Sequence, residues 1–212
     1  MILRYFAKPL VFTAALVPAA LLVAGALGGT LGVNPLEVIT HRTGDWALRF
    51  LLATLALTPL RALTGWNVFA RFRRMLGLFA FFYASLHLLT YLWFDKFFDW
   101  QEVLRDIGRR PFVTAGMAAF ALLVPLAATS TRGMIRRLGG RRWQALHRLV
   151  YVAAVAGVVH YWWLVKADVS SPSRYALALA LLLGARGWIA WRRRARSSPR
   201  PPSPAASPSA TR

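Results

Sequence analysis

Long apolar blocks follow one another along this chain, separated by short charged stretches, where a soluble domain of the same length would alternate polar and apolar faces. A helix needs roughly 20 mostly apolar residues to cross the hydrocarbon core of a bilayer. On that scale the pattern predicts six spans, at about 9–29, 46–63, 76–94, 112–128, 145–165 and 175–191. The predicted fold class is all-α, a polytopic membrane helical bundle. The spans and their connections use nearly everything before residue 192, so 1–192 reads as one transmembrane domain with no length left for a soluble one. Residues 193–212 are Ser, Pro, Ala and Arg with no apolar period, and are expected to be a disordered tail. Pro9 and Pro18 fall inside the first span, where neighbouring helices can re-satisfy the backbone. Arg4 and Lys8 before it and Ala24-Gly25-Ala26 near its end resemble a secretory signal, but the apolar stretch is longer than the usual 7–15 residues, and an uncleaved helix is expected.

Composition agrees: 57% of the 212 residues are hydrophobic and the mean hydropathy is +0.45. Net charge is +20, from 27 basic and 7 acidic residues, which by itself would suggest nucleic acid. The distribution points elsewhere. Arg61, Arg71, Arg73 and Arg74 fill the second connection; Arg132, Arg136, Arg137, Arg141 and Arg142 fill the fourth; Arg192, Arg193, Arg194 and Arg196 begin the tail. All seven acids (Glu37, Asp45, Asp95, Asp99, Glu102, Asp106, Asp168) lie in the first, third and fifth connections. Cytoplasmic loops are the Lys/Arg-rich ones, so both termini and the even connections are expected in the cytoplasm. Trp46, Trp93, Trp100, Trp143, Trp162, Trp163 and Trp191 lie near span ends, as an interfacial belt does. Cysteine is absent, which excludes thiol relays, iron–sulfur clusters and covalent haem attachment.

Candidate chemistry rests on four histidines: His41, His87, His147 and His160. Ionisable groups inside a membrane are costly and suggest function, although any one could simply bond a neighbouring helix. His87 and His160 lie on spans that run in the same direction, at depths differing by only ~6 Å at ~1.5 Å per residue. They form the plausible axial pair for a haem. Gly77, Ala80, Ala84 and His87 recur at helical spacing, as do Ala153, Ala156, Gly157 and His160; such stripes leave room for a flat macrocycle or serve ordinary helix packing. His147 lies ~20 Å from His160 along an ideal helix and about 140° around it, so the two cannot share one iron. A second haem and an interfacial anchor are equally open for it. His41, in the first outer connection, suits a structural role or a partner contact. Arg49 suits a propionate or the headgroups, and Arg186 is expected to snorkel to the inner interface.

The run Arg73-Arg74-Met75-Leu76-Gly77-Leu78 leading to Tyr83-Ala84-Ser85-Leu86-His87 resembles the third span of the ferric-reductase-like transmembrane superfamily, and more narrowly the MsrQ (YedZ) family. Thr129-Ser130-Thr131, Leu138-Gly139, Trp143, Leu146-His147-Arg148, Val150-Tyr151 and His160-Tyr161-Trp162 are similar to its fourth loop and fifth span, and His41-Arg42-Thr43-Gly44 and Leu57-Thr58-Pro59-Leu60 also fit. The likeness covers about residues 30–170. It implies a haem b subunit of the bacterial inner membrane, with His87, His147 and His160 as haem-associated histidines. Its electrons would come from quinol or a cytosolic flavin reductase and pass to a periplasmic molybdenum-dependent methionine sulfoxide reductase that repairs oxidised proteins; FMN is also associated with the family. The chain itself has no G-x-G-x-x-G after a strand, and too little length outside the spans for a nicotinamide domain, so electrons must arrive from another molecule. Two other readings are open from the sequence: a cytochrome b with another acceptor such as ferric ion or oxygen, and a small transporter or assembly factor. The transporter lacks the carboxylate expected inside a span of a pump.

Overall fold

A computed structural model describes residues 3–196, and every regular element among them is helical. The helices are α1 (Leu3–Leu27), α2 (Pro35–Thr64), α3 (Val68–Thr90), α4 (Trp100–Arg109), α5 (Pro111–Ala128), α6 (Arg132–Leu138), α7 (Gly140–His147), α8 (Leu149–Leu164) and α9 (Ser170–Arg196). The expected disordered tail falls almost wholly at 197–212, outside the described residues; α9 itself continues to Arg196. The six long helices α1, α2, α3, α5, α8 and α9 correspond to the six expected spans. Four of them, α1, α2, α3 with its extension to Asp95, and α5, are long and apolar enough to cross a membrane on length and composition alone. α8 has only 16 residues because the chain breaks at Arg148, and the apolar stretch of α9 holds Arg186. The chain is a polytopic helical membrane bundle.

Two boundaries differ from those expected. α2 starts at Pro35 rather than near 46: Asn34 caps it, accepting from the Glu37 amide at 3.3 Å, and proline takes the first helical position, where its missing N–H costs nothing. Glu37 and Asp45 therefore ride on the outer turns of α2, where a connection free of helix was expected. The third outer connection also folds. α3 widens into a π-helical turn at Tyr91–Asp95, Phe97 and Phe98 take left-handed backbone angles (φ 46° and 59°), and Asp99 then caps α4 by accepting from the Gln101 and Glu102 amides. Lys96, only 4% exposed, ties this corner together, its Nζ lying 2.7 Å from Glu102 and 2.9 Å from Asp106.

α2 is the central post. Leu48, Leu51, Leu52 and Leu55 form one helical stripe, buried against Ala80 of α3, Leu123 and Leu126 of α5, and Val150, Ala153, Ala154 and Val158 of α8. Lipid tails are as apolar as leucine, so close contact rather than water exclusion holds such helices together. Gly77 accordingly lies against the Thr54 methyl, 3.7 Å from where a Cβ would stand, and Gly157 against Leu48 at 3.6 Å. Both small-residue stripes are thus spent, at these positions, on admitting α2.

Polar links complete the bundle, and one of them answers a proline. Pro59 has no N–H for the carbonyl of Leu55, one turn earlier. Arg186 of α9 fills that gap, donating from Nη2 (2.6 Å) and Nε (3.1 Å) to Leu55 O, and also to Thr58 Oγ1 and to Tyr151 Oη at 2.7 Å. Arg186 is therefore an internal staple between α9, α2 and α8, correcting its expected place at the headgroups. In α1, next to Pro18, the fully buried Tyr83 donates its hydroxyl to Ala15 O at 2.8 Å and accepts from the Ala19 amide at 3.1 Å. One α3 side chain thereby serves both partners of a single α1 backbone step.

Candidate haem-ligand pair and inner cavity

The contacts sort the bundle into two ends. The first turns of α2, α5 and α9 meet the last turns of α3 and α8, at the end that carries the acids; the Arg-rich turns gather at the other. His87 sits three residues before the end of α3, and His160 four before the end of α8, so both lie in the acid-bearing half.

The structure brings these two side chains face to face. Their ring centroids are 5.9 Å apart and their planes cross at 73°. Each ring is held from behind by a backbone carbonyl of a neighbouring helix: His87 Nδ1 lies 2.9 Å from Thr40 O on α2, and His160 Nδ1 lies 2.6 Å from Phe112 O on α5. A carbonyl only accepts, so Nδ1 donates in both cases, and the neutral ring keeps its lone pair on Nε2. That is the tautomer of a metal-bound histidine whose other nitrogen is fixed by an outer partner. One metal bonded to both rings at ~2.0–2.1 Å would hold their centres about 6 Å apart, so donor type, free nitrogen and separation all fit a haem iron. Among the described residues no cluster of three or more His, Cys, Asp or Glu is placed to hold a bare metal ion.

The remaining candidates lie elsewhere. His147 is not on the α8 helix, as an unbroken fifth span would have it, but ends the separate α7. It stacks on Trp143 at 3.9 Å and its Nε2 lies 3.1 Å from Thr129 Oγ1. Because that hydroxyl donates to Pro125 O at 2.6 Å, His147 Nε2 carries the proton, the reverse of the other two histidines. His147 also lines a cavity of about 300 Å³ in the Arg-rich half, with Arg73, Arg74, Trp143 and Ser130 around it. Arg49 donates Nε to Tyr175 at 3.0 Å, lies over Trp46, reaches Asp45 at 3.8 Å, and is half exposed. It is not part of the histidine pair. His41 is exposed on α2.

Sequence reading missed the groups that hold the imidazoles: the carbonyls of Thr40 and Phe112, and Gly44 and Gly116 packed on the rings. A carbonyl leaves no mark in residue type. A spacing did exist, since a glycine follows each accepting residue by four positions in both helices.

Comparison with known proteins identifies the family. The family described as ferric reductase like transmembrane component matches residues 43–158, from the outer turns of α2 to the last turns of α8. A protein of Herminiimonas arsenicoxydans named protein-methionine-sulfoxide reductase heme-binding subunit MsrQ is 54% identical over 90% of this chain and 88% of its own length. Proteins of the same name from Rhodospirillum rubrum (58% identity; 87% and 88% covered) and Xanthomonas euvesicatoria (52%; 93% and 94%) agree along nearly the same span. A multi-pass protein of the bacterial inner membrane, the chain belongs to the MsrQ family of ferric-reductase-like transmembrane proteins.

Proposed function

We propose that this chain is the haem-binding membrane subunit of a methionine sulfoxide reductase system, carrying electrons from the cytoplasmic side to a periplasmic reductase. The observation that carries this reading is the pair His87 and His160, 5.9 Å apart with both Nε2 atoms free to bind one iron. A haem b held there supplies a one-electron relay. The protein's own part is to fix both imidazoles through Thr40 and Phe112, and to keep the site inside an apolar bundle. The relatives' printed names support the haem and the sulfoxide reductase system. Family likeness supports a molybdenum-dependent periplasmic acceptor, and quinol or a cytosolic flavin reductase as donor.

The test is the absorbance spectrum of the purified protein. A low-spin b-type haem released by acid acetone is expected, and His87→Ala or His160→Ala should abolish it or convert it to high spin. Wild-type spectra from both variants would remove the pair from the iron.

The inner cavity favours a second cofactor there. Its Arg73, Arg74 and His147 suit the carboxylates of a second haem or the phosphate of FMN. Haem and flavin per protein, measured after denaturation, decide between them. If a second haem is present, His147→Ala should halve the haem content while the His87–His160 signal survives.

A further inference from the structure

We infer that Gly44 and Gly116 are positioning residues that fix the rotation of the His87 and His160 rings, and so set the 73° crossing of their planes. This rests on the haem reading above. A Cβ built on Gly44 would stand 3.1 Å from Nδ1, 3.2 Å from Cε1 and 3.7 Å from Cγ of His87. On Gly116 the same three atoms of His160 would be met at 2.8, 3.0 and 3.2 Å. Nothing comparable surrounds Gly77 or Gly157, whose nearest neighbours stand at 3.7 and 3.6 Å, in ordinary contact.

The reason lies in how a helix shields its carbonyls. The C=O of residue i points along the axis at the N–H of residue i+4, so the side chain at i+4 guards the approach to that oxygen. Thr40 and Gly44 are such a pair on α2, and Phe112 and Gly116 on α5. Removing the Cβ at i+4 opens the carbonyl, and the imidazole enters to share it with the helix's own amide. The device occurs twice, with bonds spanning 47 and 48 residues. Each helix pair, α2 with α3 and α5 with α8, thus delivers one ring by the same means.

Two measurable quantities follow for the haem-loaded protein. Axial imidazoles with crossed planes leave the iron orbitals nearly degenerate, so the ferric low-spin EPR spectrum should be highly anisotropic, with one dominant high-g feature. The Nδ1–H···O=C bonds make each imidazole a stronger donor, which favours ferric iron and lowers the reduction potential.

The experiment compares ferric EPR and potentiometric titration of wild type, Gly44→Ala, Gly116→Ala and Gly184→Ala, the last an exposed glycine on α9 with open space around it. Both test variants should move the high-g feature, and both should raise the midpoint potential. Gly116→Ala should do so more strongly, or turn part of the haem high-spin; Gly184→Ala should match wild type. Should Gly116→Ala not accumulate, Gly44→Ala decides, because its ring must give by only a few tenths of an ångström. A Gly44→Ala shift no larger than that of Gly184→Ala overturns the inference. So does complete haem loss from an inserted Gly44→Ala protein, since so small a displacement leaves both nitrogens within bonding reach. Absence of low-spin haem in the wild type would instead overturn the functional reading on which the inference rests.

Discussion

Lys96 and Asp106 form the most deeply buried ion pair on the outer surface, with Tyr91 donating to the same carboxylate at 3.1 Å. The hydrogen bond from Lys96, and then that from Tyr91, holds the Asp106 carboxyl below the ordinary carboxylate range. Lys96 is pushed above the ordinary lysine range, first by its bond to Glu102. The stabilisation from Asp106 is therefore complete above about pH 4 and fades as pH falls through its lower folded-state value. That from Lys96 persists into strongly alkaline solution. Acidification below about pH 4 should loosen α4 while the spans stay intact, which the emission of Trp100 at its first turn reports. Asp106→Asn should give the loosened state at neutral pH and show no acid transition of its own. Single residues were unevenly legible in the sequence. His87 and His160 stood out because histidines are rare in apolar runs, whereas nothing in the sequence marks Lys96, whose burial depends on carboxylates up to ten positions away.

Among the elements, the cores of the six long helices were plain because hydrocarbon thickness sets a ruler for apolar length. Their ends were less plain. The outer turns of α2 are polar, so a hydropathy reading passes over a start that Asn34-Pro35 nonetheless signals. The break at Arg148 carries neither glycine nor proline, and the last residues of α7, 145–147, therefore read as part of the following span. The α2–α9 junction yields a direct test of proline compensation. Arg186→Leu leaves the Leu55 carbonyl without its donor and should cost about 1–3 kcal/mol, read as a lower melting temperature in detergent. Adding Pro59→Ala restores a backbone N–H at the position that serves Leu55, and should recover the part of the loss due to that carbonyl. If the two losses simply add, Arg186 acts through Tyr151 and Thr58 instead.

For the whole molecule, charge and packing give one orientation. Arg-rich turns at one end and carboxylates at the other predict that a reporter fused after Arg196 is cytoplasmic and one inserted at Asp99 is periplasmic. A periplasmic Arg196 reporter would reverse the bundle and put the histidine pair on the donor side. The order in which the chain leaves the ribosome adds a constraint. α1 emerges before α3, yet the hydroxyl that bridges Ala15 and Ala19 belongs to a residue 64 to 68 positions later. Until α3 arrives, the Ala19 amide and the Ala15 carbonyl have only each other as partners one helical turn apart, so the bridge that ties this step to α3 forms after α1 itself. Its delivery to lipid and its docking are thus separate events: α1 gains this polar tie to the bundle only when Tyr83 reaches it.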